Sequence, residues 1–119
     1  NRRCHVVEVF AGCSNITLRC HLHGLVAGEP VDIKYGNCDL KKPADRKELR
    51  DRLAMDCPAL VTVSFPCTPW CSFSELDNYG PEALAELREK DVGCLLMAYQ
   101  IYVDQVSRGD ECLLENPKN

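Results

Sequence analysis

The sequence predicts an α/β fold built on a doubly wound, mostly parallel sheet, and three observations predict it. Short apolar runs at Val6 to Phe10, Ala59 to Phe65 and Glu111 to Leu114 have strand length, the first two rich in β-branched residues. Longer stretches with helical three-and-four spacing lie between them. Each apolar run also stops at residues that turn the chain, Gly12, Pro66 and Asn116-Pro117. Strands that alternate with helices are the mark of crossover connections, and such connections join parallel neighbours.

Taken in order, Val6 to Phe10 is the first strand and Gly12 lets the chain turn sharply after it. Ser14 or Asn15 then caps a helix expected to run to about Val26, with Ile16, Leu18, Leu22 and Leu25 facing inward. A turn of this kind aims the helix's N–H groups and positive dipole end at the sheet edge. Gly24 and Gly28 punctuate the exit, and Pro30 to Lys34 reads as a short second strand carrying Asp32. An acid at that position can accept both hydroxyls of a ribose.

Pro43 to Asp56 is a helix with proline in its first turn and Leu49, Leu53 and Ala54 facing in. Its cations Arg46, Lys47, Arg50 and Arg52 are interleaved with acids, which makes a solvated face rather than a basic patch. After Ala59 to Phe65, two prolines forbid a regular continuation, so Cys67 sits on a rigid loop at a strand end. Leu76 to Gly80 is a polar turn, and Pro81 opens a long helix with Glu82 in its first turn. Leu84, Leu87, Leu95, Tyr99, Tyr102 and Val106 are its expected inward face, with a break at Gly93 and an end at Gly109.

A chain of 119 residues suits one domain. No apolar run approaches the roughly 20 residues that a membrane span needs, so no membrane partner is expected. Nine cysteines, an odd number, in a chain whose periodicity already supplies a core argue for a reducing compartment rather than a disulfide scaffold. The net charge of −4 disfavours a free-standing DNA-binding module, since DNA is gripped by lysine and arginine. Cys20, His21 and His23 stand close together, but neighbouring residues point to different helix faces and no Cys-x-x-Cys completes a ligand set, so no metal is expected.

Phe65-Pro66-Cys67 after a strand, followed shortly by Trp70, resembles the nucleophile motif of the DNA cytosine-5 methyltransferases. Phe10-Ala11-Gly12-Cys13-Ser14-Asn15 resembles that family's cofactor loop, and Leu114-Glu115-Asn116-Pro117 resembles its Glu-Asn-Val motif with proline in the valine's place. Gly36-Asn37-Cys38-Asp39-Leu40 is similar to its Gly-Asp-hydrophobic stretch. The motifs follow the family's order across nearly the whole chain. The resemblance implies a Rossmann-like methyltransferase sheet, incomplete at the C-terminus, in which residues 1–119 are the N-terminal part of a catalytic domain. It also implies S-adenosylmethionine as cofactor, held by Phe10, Ala11, Gly12, Cys13, Ser14, Asn15, Phe65, Asp39, Leu40 and Asp32, with either acid open as the one that matters. DNA with a flipped-out cytosine, gripped through a region beyond Asn119, is the implied partner, and an intracellular, nuclear location follows from it.

The chemistry that the resemblance implies assigns each residue a task. Cytosine carbon 5 is a poor nucleophile, and a thiolate added at carbon 6 turns the ring into an enamine able to take a methyl group. Cys67 is the implied thiolate, and Pro66 holds its loop. Negative charge entering the ring calls for an acid at ring nitrogen 3, the implied role of Glu115, worth ~10² to 10⁴ in rate for general acid assistance. Asn116 fixes the loop, and the Phe65 carbonyl accepts from the cytosine amino group. The sequence departs from the family at Thr68 and Cys71, where glutamine and serine are usual, and at Ser14 or Asn15, where a second glycine is usual. Those departures leave two other readings standing. One is a methyltransferase-like module without turnover inside a larger polypeptide, such as a mobile-element polyprotein. The other is a redox protein built on Cys67 and Cys71, whose spacing is not that of a redox Cys-x-x-Cys and which leaves Glu115 unexplained.

Overall fold

Strand β1 (Val6–Val9) is nearly all β-branched and buried along its whole length, as expected of a strand covered on both faces. In a computed structural model that describes residues 2–11, 13–32, 38–64 and 80–115, it pairs in parallel with β2 (Leu60–Val63), which pairs in parallel with β3 (Glu111–Leu114). The register pairs Val7 with Val61 and Val61 in turn with Cys112, and likewise Val9 with Val63 and Val63 with Leu114. The expected second strand is present as two isolated parallel bridges, Val6 with Ala27 and Val9 with Val31, on the other side of β1. Pro30 brings no N–H to a ladder there, which explains why the pairing is interrupted; residues 33–37 lie outside the described set.

Among the described residues the chain is therefore a mixed α/β structure with a small parallel sheet of three strands in the order β1-β2-β3. Helices cover both faces. Val7, Val9, Val61 and Val63 point to one side, into a core completed by Leu49 and Leu53 of α2 (Pro43–Asp56) and by Cys94, Met97, Ala98 and Ile101 of α3 (Pro81–Ser107). Glu8 points to the other side, where α1 (Asn15–Leu22) lies.

Helix α2 has the bounds that its sequence predicts, with Leu49 and Leu53 buried, although Ala54 is exposed rather than facing in. Helix α1 is shorter than expected, ending at Leu22 rather than near Val26. Its inward side consists of Thr17 and Cys20, while Ile16, Leu18, Leu22 and Leu25 are exposed. The N-terminal anchor explains the reversal: the buried Glu8 carboxylate accepts from both the backbone N–H and the hydroxyl of Thr17, which turns Thr17 toward the sheet.

Helix α3 also presents a different face from the one its largest residues suggest. Of the expected inward face Leu95 packs half-buried against the core, but Tyr99, Tyr102 and Val106 are exposed, and Cys94, Ala98, Ile101 and Gln105 are buried instead; the side chains of Leu84 and Leu87 lie outside the described set. Small residues at 94 and 98 let the helix axis approach the sheet, which the tyrosines cannot. Nor does Gly93 break the helix: a Cβ there would sit 2.6 Å from the Arg46 guanidinium, so glycine makes room for Arg46, which donates to the Leu40 carbonyl at 2.9 Å. Gln105, wholly buried, donates to the carbonyls of Pro58 and Glu111 and so ties α3 to the starts of β2 and β3.

Candidate functional site

Three parallel strands put the candidate loops at one end of the sheet. Beyond β1 the chain enters the left-handed region at Phe10, φ 59°, which ends the strand abruptly. The Ala11 N–H then donates to the Val31 carbonyl, which ties this loop to the segment carrying Asp32. Beyond β2 comes Ser64, whose N–H donates to the Val9 carbonyl. Beyond β3 comes Glu115, whose N–H donates to the Val63 carbonyl at 2.9 Å. The chain segments leading to Cys67 and carrying Glu115 thus leave adjacent parallel strands at the same end. In open α/β sheets this carboxyl end is where ligands bind.

A hollow of about 340 Å³ lies there, lined by Phe10, Val31, Asp32, Cys38, Asp39, Leu40, Lys41, Ser64 and Cys94. Its volume is in the range of small-molecule clefts, roughly 300–1,000 Å³. Four of the residues singled out in the sequence, Phe10, Asp32, Asp39 and Leu40, share it although they come from separate parts of the chain. The nearness of Asp32 and Asp39 in sequence does not prevent both from lining one hollow. Asp39 is held in place from two directions: its N–H donates to the Asp45 carboxylate at 2.8 Å, and its own Oδ1 accepts from the Lys41 N–H at 3.1 Å.

The rest of the cofactor loop stands outside this lining. Ala11 is half-buried, Cys13 is exposed, and Ser14 occupies the cap position of α1 in left-handed geometry, φ 57°, without a side-chain capping hydrogen bond. Asn15 begins the helix. The N-terminus of α1, expected to offer its N–H groups to a ligand, spends that of Thr17 on Glu8. Sequence reasoning passed over Glu8, and the signal was there: an acid at the centre of a β-branched strand needs a buried donor. Glu115 is exposed and is not among the residues lining the hollow. Gly12, Phe65, Pro66, Cys67 and Asn116 lie outside the described residues.

Two cysteines whose thiols are described at or near the sheet are unsuited to nucleophilic work. Burial, reinforced by Asp45, Glu48 and Asp39, pushes the Cys38 thiol up to about 11, and burial alone does the same for Cys112. Both stay protonated at neutral pH, and the thiolate is the reactive form. The seven described cysteines are all free thiols. Among the described residues no three His, Cys, Asp or Glu side chains group as metal ligands, and no helix is long and apolar enough to cross a membrane. Comparison of the chain with protein-family models, with curated proteins and with solved structures returned no match.

Proposed function

We propose that the chain carries the cofactor-binding part of a DNA cytosine-5 methyltransferase site on a Rossmann-like sheet, with Cys67 as nucleophile. The observation that carries this reading is the shared hollow of Phe10, Asp32, Asp39 and Leu40 at the carboxyl ends of β1 and β2. These residue types suit S-adenosylmethionine. A carboxylate accepts from ribose hydroxyls or from the adenine amino group, and Phe10, Val31 and Leu40 offer apolar surface to the purine. When bound, the cofactor supplies an electrophilic methyl group.

The chain's own residues do the remaining work in this reading. Asp32 and Asp39 hold the nucleoside, Cys67 adds to cytosine carbon 6, and Glu115 protonates ring nitrogen 3 as charge develops there. The parallel pairing of β2 with β3 supports the pairing of Cys67 with Glu115, because it starts both segments side by side. Flipping the base out of a duplex costs a few kcal/mol, which contacts to the DNA backbone and to the vacated stack offset in this reading.

A second reading, a methyltransferase-like module without turnover, is favoured by one particular. Ser14, which with Asn15 stands where a second glycine is usual in the family, is in left-handed geometry, and the Thr17 N–H at the adjacent helix end is already taken by Glu8. One experiment separates the readings. DNA containing 5-fluorocytosine, offered with S-adenosylmethionine to a protein extended beyond Asn119, is expected to be trapped as a covalent adduct that Cys67→Ala abolishes. An adduct that persists in the alanine variant removes Cys67 from the role, and no adduct in either protein favours the module without turnover.

A further inference from the structure

Four of the nine residues that line the hollow, Cys38, Asp39, Leu40 and Lys41, belong to one short loop just before α2. Of these only Leu40 is buried in the core, so the carboxylate of Asp39 and the amine of Lys41 owe their places to something else. The first turn of α2 supplies it from two consecutive residues. The Asp45 carboxylate accepts from the Asp39 N–H at 2.8 Å, and Arg46 donates from Nη1 to the Leu40 carbonyl at 2.9 Å. Within the loop, the Lys41 N–H donates to the Asp39 carboxylate at 3.1 Å and the Lys42 N–H to the Asp39 carbonyl at 2.9 Å. The links from α2 thus grip the Asp39-Leu40 backbone at its first N–H and its last carbonyl.

Helix α3 reaches the same loop through Arg46. A Cβ at Gly93 would lie 2.6 Å from Nη1 of Arg46, the very atom that donates to Leu40. A side chain at 93 therefore displaces that donor, since the guanidinium ends a flexible chain and gives way more easily than either helix. Glycine inside a long helix is otherwise unfavourable, alanine being the better helix former. The room that Arg46 needs accounts for it. We infer that Asp45 and Arg46 are positioning residues for the hollow and that Gly93 sets Arg46, so that the packing of α3 on α2 fixes where Asp39 and Lys41 stand. The inference rests on the proposed function, which makes the hollow a nucleoside site. None of the three residues lines the hollow, so each acts through the loop.

The test titrates S-adenosylmethionine by calorimetry into the 119-residue chain and its variants, with urea unfolding and amide hydrogen exchange read on each. Gly93→Ala is expected to weaken binding at least about threefold, the weight of one hydrogen bond, while its urea midpoint holds or rises because alanine favours the helix. A fold merely loosened would lower both. In an Arg46→Ala background, Gly93→Ala is expected to add no further loss, because the donor it displaces is already gone. Asp45→Ala is expected to weaken binding and to speed exchange of the Asp39 amide while the β1 amides keep their protection. Asp45→Asn, whose side-chain carbonyl still accepts, is expected to restore both. Binding by the unaltered chain with equal affinity in Gly93→Ala overturns the inference and leaves the proposed function standing. So does a loss that persists in the Arg46→Ala background, which would put the effect on the neighbouring Cys94 in the hollow's lining, or an Asp45→Asn variant that behaves as the alanine one. No binding by the unaltered chain removes the proposed function and this inference with it.

Discussion

At the scale of single residues, backbone geometry and burial make sharper statements than composition. Ser14 sits at φ 57°, ψ 38°, a conformation that costs an L-residue roughly 1–2 kcal/mol. Glycine relieves this but has more freedom to lose on folding. Ser14→Gly is therefore expected to stabilise the chain by about 0.5–1 kcal/mol, read as a higher denaturation midpoint at unchanged slope. Gln105 is the opposite case, a polar residue with no exposure that donates to two carbonyls. Gln105→Leu keeps the bulk but leaves those acceptors unpaired, and a loss of about 1–3 kcal/mol in urea unfolding is expected. Two half-buried thiols give a pH dependence. Cys38 and Cys112 titrate near 11 when folded and at 9.0 when not. A raised folded value means that the unfolded chain releases its protons first, so this stability is complete below pH 9 and is lost as pH rises toward 11. Replacing both with alanine is expected to flatten the decline in melting temperature across that interval.

Secondary-structure elements were legible in the sequence to different degrees, for reasons visible in each. Helix α2 was readable to its ends because Pro43 starts it, Cys57 in left-handed geometry and Pro58 stop it, and charge marks its outer side. Strand β3 was readable because Gly109, left-handed at φ 81°, and Glu115 bracket a short apolar run. Helix α3 was readable in extent but not in orientation. It is apolar on two sides, so periodicity alone could not say that Cys94 and Ala98 rather than Tyr99 and Tyr102 meet the sheet. Helix α1 misled for a related reason: its inward face is set by one buried carboxylate, Glu8, and not by hydrophobic spacing. Glu8→Ala, which strips α1 of that anchor, is expected to free the Thr17 amide to exchange far faster than the amides of β1. Unchanged protection at Thr17 would show that α1 is held by other means.

For the molecule as a whole, the alternation of strand and helix foretold a parallel sheet with helices on both faces, and that arrangement is present in three strands. Of the expected second strand, Pro30 to Lys34, Val31 pairs with Val9 of β1 as an isolated bridge, as does Ala27 before it with Val6, while residues 33 and 34 lie outside the described set. Half of the candidate site was legible for a topological reason: loops following parallel strands gather at one end, so Phe10 and Ser64 had to meet there. The other half was less so: Glu115 leaves β3 at the same end but is exposed and outside the lining of the hollow, which strand order does not foretell, and the loop after Ser64 lies outside the described residues. The proposed function rests on the hollow lined by Asp32 and Asp39. Calorimetric titration of S-adenosylmethionine into the chain, into Asp32→Ala and into Asp39→Ala tests it most directly. One saturable site is expected, weakened at least about tenfold, or 1.4 kcal/mol, in one of the two variants. Absence of binding, or equal affinity in all three proteins, would contradict the account.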